Sequence, residues 1–302
     1  MRIRVLAALL ALSVTAGCAG RAAASGFADG RLNAVTAFYP LRFLAGQIGG
    51  GSVSVTDLTK PGAEPHDVEL NPRQVGKIVD AGLVVYLKGF QPAVDQAVAQ
   101  EAQGRALDVA STVPLLPLAT NAGETKDSTT GMDPHVWLDP ERFAMIADAL
   151  GARLGRADPA HAAEYTARAA ALHTELDALD AEYAARLKTC PRREIVTSHS
   201  AFNYLAHRYG LTQVGITGIS PEAEPAPRRL AAVAAEAKRT GTTTIFFETL
   251  VSPKVAETLA REVGAKTAVL DPLEGLTEPG ADYFSVMRSN LAALTTALGC
   301  SS

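Results

Sequence analysis

The sequence predicts an α/β protein with two Rossmann-like lobes joined by one long helix. Three observations predict it. Short β-rich runs alternate with helical patterns in both halves of the chain, the signature of βαβ units and parallel sheets. The same four-strand plan occurs twice, in 302 residues, which is room for two compact units. Between the halves lies one uninterrupted helical stripe.

In the first half the predicted strands are 32–37, 53–58, 83–87 and 106–109, with helices near 41–49, 72–81, 92–102 and 140–155. In the second half they are 194–197, 214–219, 243–247 and 267–270, with helices near 200–209, 226–239, 253–263 and 281–298. Each sheet is therefore expected to be four-stranded and parallel. The connecting stripe begins with Asp158 as N-cap and Pro159 at the first helical position. Tyr165, Ala169, Leu172, Leu176, Leu179, Tyr183 and Leu187 then recur at steps of three and four. With α/β patterns on both flanks, this helix reads as a spine against two lobes rather than a coiled coil. The expected division is 30–157 for the N-terminal lobe, 158–189 for the linking helix and 190–302 for the C-terminal lobe.

The N-terminus carries a different signal. Arg2 and Arg4 precede a short apolar run from Val5 to Val14, about half of the roughly twenty residues needed to span a bilayer, so 1–17 reads as a secretory signal. Thr15-Ala16-Gly17-Cys18 resembles a bacterial lipobox, although leucine is commoner where Thr15 stands. Cys18 is the expected lipidation site, with 18–29 as a flexible tether; cleavage near Ala22 to Ser25 is the alternative. The protein is thus expected outside the cytoplasm, membrane-anchored by lipid, periplasmic or at the cell surface. In that oxidising setting the remaining cysteines, Cys190 and Cys300, are expected to form a disulfide. The mild net charge of -4 gives no basic face for nucleic acid.

The histidines carry the chemistry. His66 lies in Lys60-Pro61-Gly62-Ala63-Glu64-Pro65-His66-Asp67, just after the second predicted strand. His135 lies in Asp133-Pro134-His135-Val136-Trp137-Leu138-Asp139-Pro140, again before a helix, and His199 in Thr197-Ser198-His199-Ser200, straight after a strand. Loops at the carboxyl ends of parallel strands are where α/β folds place ligands, and imidazole suits zinc and other late first-row ions. A single such histidine is ordinarily a surface or hydrogen-bonded residue; three in equivalent loops predict one shared metal. His161, His173 and His207 lie on helices and are expected to be solvated or structural. For a fourth donor, Asp271 ends one strand and Glu248 the adjacent one. Either could bind the metal directly or orient an imidazole from behind it; Asp271 is favoured as the ligand, with Glu248 or water as the alternatives and orientation of an imidazole as the other role open to Glu248.

These segments resemble the zinc- and manganese-binding solute receptors of bacterial ABC importers, a family with two lobes joined by a rigid helix. The resemblance runs from about residue 32 to the C-terminus. Its four ligand loops match Pro61–His66, Asp133–Pro140, Thr197–Phe202 and Leu270–Leu273, and Ser220-Pro221-Glu222-Ala223-Glu224-Pro225 is another typical segment. It implies a binding protein, not an enzyme, that captures Zn2+ and passes it to a membrane permease, as a monomer. Manganese-preferring members are expected to carry glutamate where this chain has His199, so the resemblance favours zinc. Many zinc members also have a histidine-rich loop before the second ligand; Thr120–Gly131 here has none and carries Glu124 and Asp127 instead. The alternatives are a manganese or iron receptor of the same fold and a zinc hydrolase, which would need an open fourth position for water. Adhesion to a host or matrix protein is a possible second activity.

Overall fold

The computed structural model describes residues 26–119 and 131–301; Cys18, residues 19–25 and most of the 120–131 loop lie outside them, while the end of the expected 18–29 tether lies inside and is held in the first sheet, Phe27 and Ala28 pairing with Leu32 and Arg31. The first unit comprises β1 (Phe27–Ala28), β2 (Arg31–Thr36), α1 (Tyr39–Gly49), β3 (Val53–Asp57), α2 (Pro72–Asp80), β4 (Leu83–Tyr86), α3 (Pro92–Glu101) and β5 (Ala106–Asp108). Next come α4 (Pro140–Ala157) and the long α5 (Ala162–Leu187). The second unit comprises β6 (Glu194–Thr197), α6 (Asn203–Tyr209), β7 (Thr212–Gly215), α7 (Pro227–Thr240), β8 (Thr244–Phe247), α8 (Lys254–Val263), β9 (Lys266–Val269) and α9 (Tyr283–Leu298).

In the first sheet β2 is central: β3 and β4 pair with it in parallel, and β5 extends the sheet beyond β4. Leu83, Val84 and Val85 are fully buried, as a strand covered on both faces requires. The expected four strands are all present, but the sheet has five, because β1 folds back antiparallel on the start of β2. Two residues between turn residues are too short for periodicity to reveal. The second sheet has the order β7-β6-β8-β9, all parallel, as expected. β9 is displaced by one residue, starting at Lys266, and β7 by more, running Thr212–Gly215, because Gly215 already ends the pairing with Thr197.

The spine is shorter than the pattern suggests. Pro159–His161 form a separate 3-10 turn and α5 starts at Ala162; Asp158, with φ of -135° and ψ of 81°, precedes that turn and makes no side-chain capping bond to it. Its 26 residues give a length of about 39 Å. The buried residues of α5 are the seven of the predicted stripe. They pack on α4, where a Cβ on Gly151 would stand 2.7 Å from Ala169 Cβ; glycine permits that approach. One continuous apolar core runs through α1, α4, α5, α9 and the first sheet, and a smaller one fills the far side of the second sheet. Cys190 and Cys300 form a disulfide that ties the segment after α5 to the end of α9.

Candidate metal centre

All parallel strands that deliver donors end at the seam between the two units. His66 follows β3, His135 leads into α4, and His199 stands two residues past β6. Each of these places is a carboxyl-terminal strand edge or the loop leaving it. The structure brings the three predicted histidines together. His135 and His199 are 0% and 1% exposed, and His66 keeps 8% of its side chain accessible.

The fourth member is Glu274. Its Oε1 lies 3.3 Å from His66 Nε2, 3.1 Å from His135 Nε2 and 3.2 Å from His199 Nε2. One donor atom from each of the four residues lies within 4.8 Å of all the others, a set that could hold a metal ion. A tetrahedral zinc with bonds of about 2.0–2.1 Å has ligand–ligand edges of roughly 3.3–3.4 Å, close to the carboxylate–imidazole separations. The second oxygen of Glu274 is buried with no hydrogen-bond partner, and a fully buried carboxylate needs a compensating cation.

Asp271, the expected fourth ligand, does not join this set. Its Oδ1 accepts the Leu273 backbone N–H at 2.7 Å and its Oδ2 accepts from Thr249 Oγ1 at 3.0 Å. The two carboxylates are only three residues apart, but Leu273 between them has a left-handed backbone, with φ of 59°. That turn redirects the chain so that Glu274, not Asp271, enters the seam. A strand-end argument favours the first acid after the strand, and a left-handed leucine is not legible in sequence.

Of the two roles open to Glu248, the structure places it behind His199: its Oε1 accepts from His199 Nδ1 at 2.8 Å and from Ser198 Oγ at 2.8 Å. His135 has an equivalent partner that sequence reading passed over. Asp133 Oδ1 accepts both His135 Nδ1–H, at 2.8 Å, and the His135 backbone N–H, at 2.9 Å. The signal was present as an Asp-x-His spacing within one motif. In both cases the carboxylate favours a proton on Nδ1, so Nε2 is the nitrogen that can offer its lone pair to a metal once any proton it shares with Glu274 has left. His66 is held differently, packed edge-on against Phe90 with ring centroids 4.6 Å apart. Replacing Asp133 with Asn or Glu248 with Gln is expected to weaken zinc binding about 10- to 100-fold, measured by competition with a zinc chelator.

The charges of the cluster are strongly coupled. Burial alone would lower the pKa of His199, but the Glu248 and Glu274 carboxylates outweigh it and hold it well above the ordinary value. His135 is likewise raised, burial being overcome by Asp133 and Glu274. His66 is lowered by burial, only partly opposed by Glu274. Burial opposes ionisation of Glu274, yet the neighbouring His199 and His66 keep its pKa well below normal. Glu64, whose Oε1 accepts the His66 N–H at 3.0 Å, is pushed up to about 8 by burial and by Glu274.

The remaining histidines stay apart from the cluster. His161 Nδ1 bonds Asp158 at 2.7 Å, His173 Nδ1 bonds Asp148 at 2.7 Å, and His207 is exposed.

Two parallel-sheet units and a buried set of three imidazoles and one carboxylate at their seam define a class: a two-lobed α/β binding protein equipped for one transition-metal ion. The comparisons with known proteins give the family. Residues 34–297 match the model of ZnuA, the periplasmic component A of zinc-uptake complexes, and the chain belongs to that family. It is 35% identical over 294 residues to the high-affinity zinc uptake system protein ZnuA of Bacillus subtilis, covering 92% of each chain. It is 38% identical over 290 residues to the zinc-binding protein AdcA of Streptococcus pyogenes serotype M6, with 88% of this chain covered. Of that protein it spans only 56% of the length. The Zn(II)-bound ZnuA-like domain of Streptococcus pneumoniae AdcA superposes with a TM-score of 0.76 at 36% identity, covering 89% of this chain and 99% of that one.

Proposed function

We propose that this protein is the extracytoplasmic solute-binding component of a zinc ABC importer, which captures Zn2+ between its lobes and delivers it to a membrane permease. The observation that carries the reading is the single Glu274 oxygen within 3.1–3.3 Å of three buried imidazole nitrogens. His66, His135, His199 and Glu274 are the ligands. Three nitrogens and one carboxylate suit a small-coordination zinc site better than the oxygen-rich octahedron of manganese. The relatives' names, which describe zinc binding and zinc uptake, support the same cargo.

Four protein donors favour a carrier over a hydrolase, since a catalytic zinc keeps one position open for water. Residues 1–17 serve as the export signal and Cys18 as the lipid anchor, with 30–157 and 190–302 as lobes on either side of the linking helix. The monomer is the working unit, since both lobes of one chain supply the ligands.

Zinc binding must displace protons. Metal ligation needs neutral imidazole nitrogen, whereas His135 and His199 in the metal-free protein hold protons more tightly than a free imidazole. The groups facing them are Asp133, Glu248, Glu274 and Glu64. Apparent zinc affinity is therefore expected to fall as pH is lowered, beginning above the ordinary histidine value of about 6.5 rather than below it. Isothermal titration of the metal-free protein from pH 8.5 to 5.5, in two buffers of different ionisation enthalpy, reads both affinity and proton release. Sub-micromolar 1:1 binding with proton release near neutral pH supports the reading; millimolar binding, or tighter manganese than zinc, defeats it.

A further inference from the structure

Asp271 has no place among the donors, yet it is half-buried, and its carboxylate and its backbone N–H and C=O are all hydrogen-bonded. Asn290 on α9, 2% exposed, accepts from the Asp271 N–H at 2.9 Å and donates from Nδ2 to the Asp271 carbonyl at 2.7 Å. The Asp271 carboxylate receives Leu273 N–H and Thr249 Oγ1–H. Trp137 Nε1 donates to the Pro272 carbonyl at 2.7 Å, and the Trp137 carbonyl accepts from Tyr283 Oη at 2.7 Å. Leu273 is completely buried and has φ of 59°, a conformation a branched L-residue adopts only where its surroundings impose it. The next residue is Glu274.

We infer that Asp271, with Asn290 and Trp137, is a positioning brace: it holds Leu273 in the left-handed conformation and thereby aims Glu274 at the three imidazoles. Trp137 stands two residues past His135, so the same brace sets Glu274 against the loop that carries that ligand. The site on Glu274 is preorganised through three groups that never touch the metal. The inference rests on Glu274 being a ligand, as proposed above.

The brace makes a prediction that a ligand role for Asp271 does not. In Asp271→Asn the amide oxygen still accepts the Leu273 N–H, and Thr249 can turn its hydroxyl to accept from the amide. Zinc affinity should stay within about 3-fold of the unaltered protein. Asp271→Ala removes the acceptor, and affinity should fall about 10- to 100-fold, the range for residues that orient a ligand. Asn290→Ala, which frees the backbone of residue 271 while leaving its carboxylate, should weaken binding in the same direction.

The experiment is zinc competition titration of Asp271→Asn, Asp271→Ala, Asn290→Ala and Glu274→Gln, with the Co2+ d–d spectrum recorded for each. Melting of the zinc-free forms verifies folding. In Asp271→Ala the intense four-coordinate cobalt bands should weaken as Glu274 loses its aim, a change that lost stability alone does not cause. Asp271→Asn matching Glu274→Gln in lost affinity would make Asp271 a ligand and overturn the brace. Native affinity and spectrum in both Asp271→Ala and Asn290→Ala would overturn it as well. Unchanged binding in Glu274→Gln would instead sink the ligand set on which the inference stands.

Discussion

Replacing His199 with alanine is expected to weaken zinc binding by about 100- to 1000-fold. Structural zinc sites with four ligands bind with roughly 10–16 kcal/mol, so each ligand carries on the order of 3 kcal/mol. His199 is placed to show the full loss, because it is buried and cannot be replaced from solvent without opening the seam. Its removal also leaves Glu248 without the imidazole it faces at 2.8 Å and takes one compensating cation from beside Glu274. Two buried carboxylates then face each other across the gap, so the metal-free protein loses stability too. Competition titration gives the affinity, and melting with and without zinc separates the two effects: the zinc-induced rise in Tm should nearly vanish. His207→Ala, at an exposed position of α6, should change neither.

Removing the disulfide should give the largest change in stability. Cys190 and Cys300 are 110 residues apart in sequence. In the chain-entropy account a loop of about 100 residues is worth roughly 4–5 kcal/mol, and a native bridge typically 2–5. Cys190→Ser with Cys300→Ser, or reduction of the unaltered protein, should therefore lower Tm by about 10 °C. The bridge lies at the far end of α9 from Asp282, where that helix begins near the metal seam. Zinc affinity at a temperature where the protein remains folded should change less than 3-fold, which calorimetry and titration on one sample can establish. A loss of affinity matching that of His199→Ala would mean that the bridge shapes the site.

Much of this was readable in advance wherever a periodic pattern or a strand-end placement carries the information. The spine's seven buried residues are those of its stripe because a helix packed along one side for seven turns must repeat that way. The three histidines were legible because parallel sheets present ligands at one edge only. What stayed hidden depends on single backbone torsions and on three-dimensional pairing. β1 pairs through two residues, and the break at Asp158–His161 shortens α5 by one turn without altering the stripe. The exchange of Glu274 for Asp271 turns on the φ of one leucine, which only the surrounding hydrogen bonds impose. Asp133 was visible as a neighbour of His135, but its use as that ring's acceptor follows from the local loop conformation.

The binding of zinc by His66, His135, His199 and Glu274 is tested most directly by X-ray absorption at the zinc edge on protein loaded with one equivalent. The account predicts four nitrogen or oxygen neighbours at about 2.0–2.1 Å, with the outer-shell scattering of three imidazole rings. Six light-atom neighbours at longer distance, sulfur in the first shell, or scattering from a single imidazole would contradict it.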